Sequence, residues 1–228
     1  MKKFLKIGHR GACGYEPENT LSSFQTALDL NVDAIELDVY QCKTREIIVF
    51  HDLKVNRTTN GKGYVEDKTF NEIRSLDAGN GQLIPTLEEV LDLVDNKCIV
   101  NIELKGENTA NKVADIIDYY IYNRKWNINN FLVSSFNHVE LQRFKNLMPK
   151  ISIGVLIEAI PIDYSNIALR LNADYINLSM DFINKEFVDH AHNNGLKVLV
   201  YTVNDFDDIK KIKNLDVDGI FSNFPDRL

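Results

Sequence analysis

The chain alternates short apolar segments with segments that have the periodicity of an amphipathic helix. The apolar segments predict eight strands, at residues 4–9, 34–39, 98–104, 131–135, 151–157, 175–178, 197–203 and 219–221. Strands of nearly continuous hydrophobicity that alternate with helices are typical of a parallel sheet covered on its faces. Eight of them favour an α/β fold of the TIM (β/α)8 barrel type. An open doubly wound sheet is the alternative, although its G-x-G-x-x-G turn does not follow the first strand.

A ninth apolar segment, at residues 46–50, follows the second strand closely. A parallel return needs a dozen or more residues, so this segment predicts a hairpin that turns near residues 43–45. Residues 52–84 contain several turn-forming glycines and predict irregular structure. We therefore expect one catalytic barrel domain over residues 1–228, with 40–84 as a hairpin-plus-loop insertion over the barrel mouth.

Charged residues occupy alternate positions in two of the predicted strands. Glu36 and Asp38 share one face of the second strand, and Glu103 and Lys105 share one face of the next parallel strand. The apolar faces must contact the helices, so these side chains point inward near the carboxyl ends of the strands, where barrel active sites lie. Three converging carboxylates repel one another, and a hard divalent cation such as Mg²⁺ or Ca²⁺ would offset that repulsion. The alternative is an ion-pair network at the rim.

Two histidines and two basic residues are predicted at the same end of the barrel. His9 ends the first strand and His51 ends the returning hairpin strand. A histidine pair can serve as base and acid in one displacement, and metal ligation is the competing role. Arg10 and Lys105 suit phosphate oxygens, although a surface salt bridge is an equal alternative for Arg10. Together these residue types favour phosphoryl chemistry.

Composition narrows the range of partners and compartments. The 33 acidic and 26 basic residues give a formal net charge of −7, which disfavours a long basic groove for nucleic acid. No segment approaches the roughly 20 apolar residues needed to cross a bilayer, and the N-terminus lacks the features of a signal peptide. Cys13, Cys42 and Cys98 are widely spaced and read as reduced thiols. We therefore expect a cytoplasmic protein, and the sequence does not indicate its oligomeric state.

A series of short motifs follows in order along the chain. They are HRGA at 9–12, PENT at 17–20, IELDV at 35–39, HD at 51–52, RTT at 57–59, IPTLEE at 84–89 and ELK at 103–105. This ordered series resembles the glycerophosphodiester phosphodiesterase family in its compact bacterial form. Residues 201–204 and 217–220 extend the resemblance, which therefore covers nearly the whole chain.

The resemblance implies a barrel enzyme that hydrolyses glycerophosphodiesters, such as glycerophosphocholine and glycerophosphoethanolamine, to glycerol 3-phosphate and an alcohol. Carried over by position, Glu36, Asp38 and Glu103 would bind one divalent cation, Mg²⁺ or Ca²⁺, His9 and His51 would be the acid/base pair, and Arg10 and Lys105 would hold phosphate. The nucleophile would be the neighbouring glycerol hydroxyl, through a cyclic phosphate, or water. Glu18 and Asn19 are interpreted as a structural hydrogen-bonding loop. Tyr201 stands where the family often has tryptophan, which bears on head-group preference.

Two other functions are compatible with a barrel of this kind. A lysophospholipase D or sphingomyelinase D type of enzyme would act on a lipid and would expose an apolar lip near the mouth. Residues 52–84 contain no strong apolar cluster, which disfavours that hypothesis. A non-catalytic barrel that binds phosphodiesters would be marked by the loss of a metal carboxylate or a histidine, and all of these are present.

Overall fold

A computed structural model describes residues 4–228. Residues 1–3 lie outside that range, and they are part of the N-terminal segment in which a signal peptide was considered. The strands are β1 (Leu5–Gly8), β2 (Ala34–Gln41), β3 (Ile47–Val49), β4 (Ile99–Leu104), β5 (Phe131–Ser135), β6 (Ser152–Ile157), β7 (Tyr175–Ser179), β8 (Lys197–Tyr201) and β9 (Gly219–Ser222). The α-helices are α1 (Leu21–Asp29), α2 (Phe70–Arg74), α3 (Leu87–Val94), α4 (Thr109–Tyr122), α5 (His138–Leu147), α6 (Asn166–Arg170), α7 (Lys185–Asn193) and α8 (Phe206–Lys213). None of these helices has the length and hydropathy to span a membrane.

Eight parallel strands form a closed barrel. Their order is β1-β9-β8-β7-β6-β5-β4-β2, and a β1–β2 pairing with Ile7 opposite Ala34 closes the ring. The ninth strand, β3, pairs antiparallel with the end of β2, with Val39 opposite Val49. The predicted TIM barrel and the hairpin that leaves its second strand are therefore confirmed, and the open sheet is excluded.

The two faces of β2 have opposite chemistry. Ile35, Leu37 and Val39 are fully buried in the large apolar cluster that lies between the strands and the surrounding helices. Glu36 and Asp38 are also buried, but they lie on the other face, inside the barrel. The strict alternation of side chains along a strand produces this separation, because a shift of one residue would bring the apolar set inward.

Apolar side chains fill much of the barrel interior. They are Ile7, Ala34, Leu132, Tyr175, Leu199 and Phe221, with Leu5, Ile99 and Tyr201 packed against them. Nearer the carboxyl ends of the strands the interior becomes polar, and Asn101 donates a hydrogen bond to Ser134 Oγ at 3.1 Å. The barrel is therefore a packed core with a polar cavity at one end, as in other β/α barrels.

The segment between β2 and α3 has a small apolar cluster of its own. Its buried members are Tyr40, Cys42, Ile48, Phe50, Val55, Val65, Ile73, Ala78 and Ile84. The prediction that residues 52–84 are irregular is wrong at α2, which begins with a capping box between Thr69 and Glu72. The helix has five residues, too few for the apolar periodicity on which the prediction relied.

Leu37→Ala is expected to lower the free energy of unfolding by about 2–5 kcal/mol, because it leaves a cavity between β2 and the helices. Leu53→Ala is the matched control, since Leu53 is 61% exposed and its truncation should change stability by about 0.5 kcal/mol or less. Urea unfolding followed by circular dichroism measures both. Equal midpoints for the two variants would contradict the assignment of the β2 faces.

Candidate active site

One cavity, of about 270 Å³, opens at the carboxyl ends of the barrel strands. Six of the seven predicted site residues line it, namely His9, Arg10, Glu36, His51, Glu103 and Lys105. The seventh, Asp38, is buried beside it, with its carboxylate 3.5 Å from Arg10 Nε and 4.0 Å from Lys105 Nζ. The structure therefore brings all seven residues to one place.

The three carboxylates form a compact, buried cluster. One oxygen each from Glu36, Asp38 and Glu103 lies within 4.8 Å of the other two. The cluster follows from the register of adjacent strands, in which Asp38 is directly opposite Glu103. Burial, and then the charges of Asp38 and Glu103, raise the pKa of Glu36 well above its ordinary value. Burial, and then the charge of Asp38, raise the pKa of Glu103 to about 7. Keeping all three carboxylates ionised in this protein alone is therefore costly.

The basic neighbours offset only part of this charge. The backbone amide of Arg10 donates to Glu36 Oε2 at 2.9 Å, and Lys105 Nζ lies 3.0 Å from Glu103 Oε1. Two cationic side chains face three carboxylates, so one negative charge remains. In addition, Asn101 Oδ1 is buried and accepts no hydrogen bond among residues 4–228. An all-oxygen donor set with surplus negative charge fits a hard divalent cation better than a closed ion-pair network.

His9 is held in one tautomer. Its Nδ1 lies 2.6 Å from Asn223 Oδ1, and because an amide oxygen only accepts, the imidazole donates from Nδ1. Asn223 is itself held by Asn204, whose Oδ1 accepts from the Asn223 backbone amide at 2.8 Å. Burial, and then the charge of Arg10, lower the pKa of His9 to about 4. Near neutral pH the His9 ring is therefore uncharged, with Nε2 available to accept a proton.

His51 is held by a carboxylate instead. Its Nδ1 donates to Asp52 Oδ1 at 2.6 Å, and its Nε2 lies 3.3 Å from Lys105 Nζ, at the cavity. The hydrogen bonds from Arg57, and more weakly from His51, lower the pKa of Asp52 to about 2. Asp52 is therefore an anion near neutral pH, and its hydrogen bond fixes the orientation of the His51 ring.

Arg57 connects the two loops that flank the site. Its guanidinium donates to both oxygens of Glu18, at 2.7 and 2.8 Å, and to both oxygens of Asp52, at 2.6 and 3.0 Å. Glu18 Oε1 also accepts from Arg10 Nη1 at 2.8 Å. A continuous chain of contacts therefore runs from Arg10 through Glu18, Arg57 and Asp52 to His51.

Sequence reasoning named three of these supporting residues without giving them a part in the site. Asp52 and Arg57 stood in the HD and RTT motifs, and Glu18 was assigned to a hydrogen-bonding loop. Asn19, assigned to the same loop, donates from Nδ2 to Asp38 Oδ2 at 2.9 Å. Asn223 was missed altogether, since it lies 214 positions from His9 and no local pattern marks it.

Comparison with known proteins agrees with the geometry. A glycerophosphodiester phosphodiesterase of Caldanaerobacter subterraneus is 36% identical over 239 residues, which cover 99% of this chain and 96% of that protein. A lysophospholipase D of Homo sapiens is 26% identical over 275 residues, which cover 100% of this chain and 86% of that protein. No part of the described barrel is therefore without a counterpart in these relatives.

A solved structure is also similar, a phosphodiesterase of Oleispira antarctica in complex with the product sn-glycerol-3-phosphate. It superposes with a TM-score of 0.89 at 30% identity, over 97% of this chain and 93% of that one. The sequence model of the glycerophosphoryl diester phosphodiesterase family matches residues 9–227. The resemblance expected from the ordered motifs is therefore confirmed, and the chain belongs to the glycerophosphoryl diester phosphodiesterase family.

Proposed function

We propose that the protein hydrolyses glycerophosphodiesters, such as glycerophosphocholine and glycerophosphoethanolamine, to glycerol 3-phosphate and an alcohol, with one bound Mg²⁺ or Ca²⁺. The observation that carries the proposal is the cluster of three buried carboxylates beside two basic side chains and two oriented histidines. The Oleispira antarctica neighbour, with glycerol 3-phosphate bound, supports the same reaction class. The proposal includes one barrel domain over residues 1–228, with the 40–84 insertion forming the wall that carries His51.

Glu36, Asp38 and Glu103 are the proposed cation ligands. When bound, the cation offsets their charge and polarises the phosphodiester as a Lewis acid. Arg10 and Lys105 are proposed to hold the phosphate oxygens, Arg10 through its guanidinium and Lys105 as a point charge. Both lie against the carboxylate cluster, so a phosphate that they hold would also lie beside the proposed cation.

The two histidines are proposed to divide the proton transfers. His9 Nε2 takes the proton from the nucleophile, a glycerol hydroxyl or water, as its oxygen bonds to phosphorus. The bond from phosphorus to the head-group oxygen breaks, and His51 Nε2 donates a proton to that oxygen. Attack by water gives glycerol 3-phosphate directly. Attack by the glycerol hydroxyl gives a cyclic phosphate, which a second displacement by water opens to glycerol 3-phosphate. His9 suits the base because its ring is uncharged near neutral pH. His51 is assigned the acid because Asp52 holds its Nδ1 and leaves Nε2 at the cavity.

One observation favours a second candidate substrate, a lysophospholipid. The loop after β6 exposes Ile160 and Ile162, the latter completely, and residue Glu158 of the same loop lines the cavity. An exposed apolar lip was considered only in residues 52–84. Ile160 and Ile162 lie on a different loop. The lysophospholipase D relative supports testing this substrate in parallel with the water-soluble diesters.

Glycerol 3-phosphate release from glycerophosphocholine is expected with Mg²⁺ or Ca²⁺ and to be lost with EDTA. Release of choline from lysophosphatidylcholine, assayed in parallel, tests the second candidate. Full activity in EDTA with all metals removed would contradict the proposed role of a divalent cation. If the folded protein releases glycerol 3-phosphate from no diester, the proposed function is wrong.

Glu103→Gln is expected to abolish Mg²⁺ binding by titration calorimetry and to lower kcat by at least about 100-fold, because it removes a ligand charge. Glu107→Gln is the matched control, since it removes one exposed carboxylate from the loop after the same strand. Both variants should fold, and Glu107→Gln should bind Mg²⁺ like the unmodified protein. Wild-type-like binding in Glu103→Gln would overturn the ligand assignment.

His9→Ala and His51→Ala are each expected to lower kcat for glycerophosphocholine by about 10²–10⁴-fold. The p-nitrophenyl ester of glycerol 3-phosphate distinguishes their roles, because its phenolate leaves without a proton. With this substrate His51→Ala should recover most of its activity, whereas His9→Ala should stay impaired. The reverse pattern would exchange the two roles.

Arg57→Met is expected to lower kcat by about 10- to 100-fold with little change in KM, because it frees Asp52 and Glu18 rather than removing a substrate contact. Arg124→Met is the control, since Arg124 is similarly exposed and pairs with Asp92 at 2.7 Å away from the cavity. Added guanidinium should restore part of the activity of Arg57→Met. Equal kcat in the two variants would show that Arg57 does not position the site.

A further inference from the structure

The cavity has a second wall that the proposed reaction does not use. It includes Phe136 after β5, Glu158 after β6 and Tyr201 at the end of β8. In the closed order of the barrel, β6 lies four strands from β1 in either direction. Glu158 therefore faces the cavity from the side opposite His9 and Arg10.

Two aromatic rings form a corner in this wall. The ring centroids of Phe136 and Tyr201 are 5.9 Å apart, with the planes at 86°. Tyr201 Oη donates to the carbonyl oxygen of Ile157 at 2.9 Å, which fixes the ring next to the residue that precedes Glu158. Phe136 is 42% exposed, so its ring is open to the cavity. Aromatic faces that are fixed and open in this way attract cations.

Glu158 adds a negative charge to the same corner. Its side chain is exposed and forms no hydrogen bond or ion pair among residues 4–228. Burial, and then the charges of Glu158 and Glu103, raise the pKa of the Tyr201 phenol, and Glu158 has the larger effect of the two carboxylates. The other lining carboxylates, Glu36 and Glu103, belong to the cation cluster. Glu158 is therefore the lining acid that has no assigned partner.

Lys105 restricts where a ligand cation can lie. Its Nζ is 5.6 Å from the centroid of Phe136, so it repels a second cation from that side of the ring. The side toward Tyr201 and Glu158 has no basic residue in the cavity lining. The cavity is therefore basic at Arg10 and Lys105, and acidic and aromatic across the mouth.

We propose that Phe136, Tyr201 and Glu158 bind a cationic head group, so that the preferred substrates are zwitterionic diesters that carry a quaternary or primary ammonium. This inference rests on the proposed function and deepens it. A zwitterionic diester places its phosphate at the basic side and its ammonium at the acidic, aromatic side. A diester with an uncharged head group has the same phosphate but gains nothing from Glu158.

The test compares kcat/KM for glycerophosphocholine, glycerophosphoethanolamine and glycerophosphoglycerol. Glu158→Gln is expected to lower kcat/KM for the two cationic substrates about 3- to 5-fold, mainly through KM, and to leave glycerophosphoglycerol unchanged. Phe136→Leu should lower it about 2- to 5-fold for the cationic substrates only. Asp163→Asn, which removes an exposed charge from the same loop outside the cavity lining, should change none of the three.

Three results would overturn the head-group assignment. An equal fall for all three substrates in Glu158→Gln would show a general effect on the site, and an equal fall in Asp163→Asn would show a general effect of surface charge. If the unmodified protein hydrolyses all three with the same kcat/KM, the aromatic and acidic wall does not select head groups, although the proposed function stands. If it hydrolyses none of them, the proposed function itself fails.

Discussion

The rest of the site depends on the repulsion among three carboxylates inside a barrel. Glu36, Asp38 and Glu103 are buried at a spacing at which ionised acids oppose one another, and burial removes the water that would otherwise screen them. The cost is visible in the raised pKa values of Glu36 and Glu103. The cluster therefore lowers the stability of the protein alone, and a metal ion that these carboxylates could hold would offset that cost.

His9 is held by a neutral amide and His51 by a carboxylate. This difference follows from the position of each partner in the chain. Asn223 reaches His9 from the end of β9, which pairs with β1, and its amide orients the ring. Burial, and then the charge of Arg10, keep that ring uncharged near neutral pH. Asp52 follows His51 directly in the chain, and Arg57 keeps it ionised. Two groups of one type are thus held by different partners, and the proposed division of the proton transfers relies on this asymmetry.

The sequence predicts those parts of the structure that are local or periodic. The barrel follows from the order of strands and helices, and the placement of Glu36 and Asp38 follows from the period of two along β2. Helix α2 is not predicted, because five residues are too few to show a helical period. Its capping box between Thr69 and Glu72 is visible in the sequence. The contact of Asn223 with His9 is not predicted for a different reason. That contact exists only after β9 has closed the ring against β1, so no sequence spacing encodes it.

The same limit applies to the wall that faces the carboxylates. Phe136, Glu158 and Tyr201 lie at the ends of three different strands, and nothing in their local sequences indicates that the three side chains meet. Their common chemistry arises because parallel strands all deliver their carboxyl ends to one rim. A barrel thereby places residues that are far apart in the sequence on opposite sides of one cavity. The difference in charge between the two sides of that cavity arises only when the ring of strands is closed. In the proposed reaction β1, β2, β4 and the hairpin carry the cation and proton chemistry, which leaves the loops after β5, β6 and β8 to contact the head group.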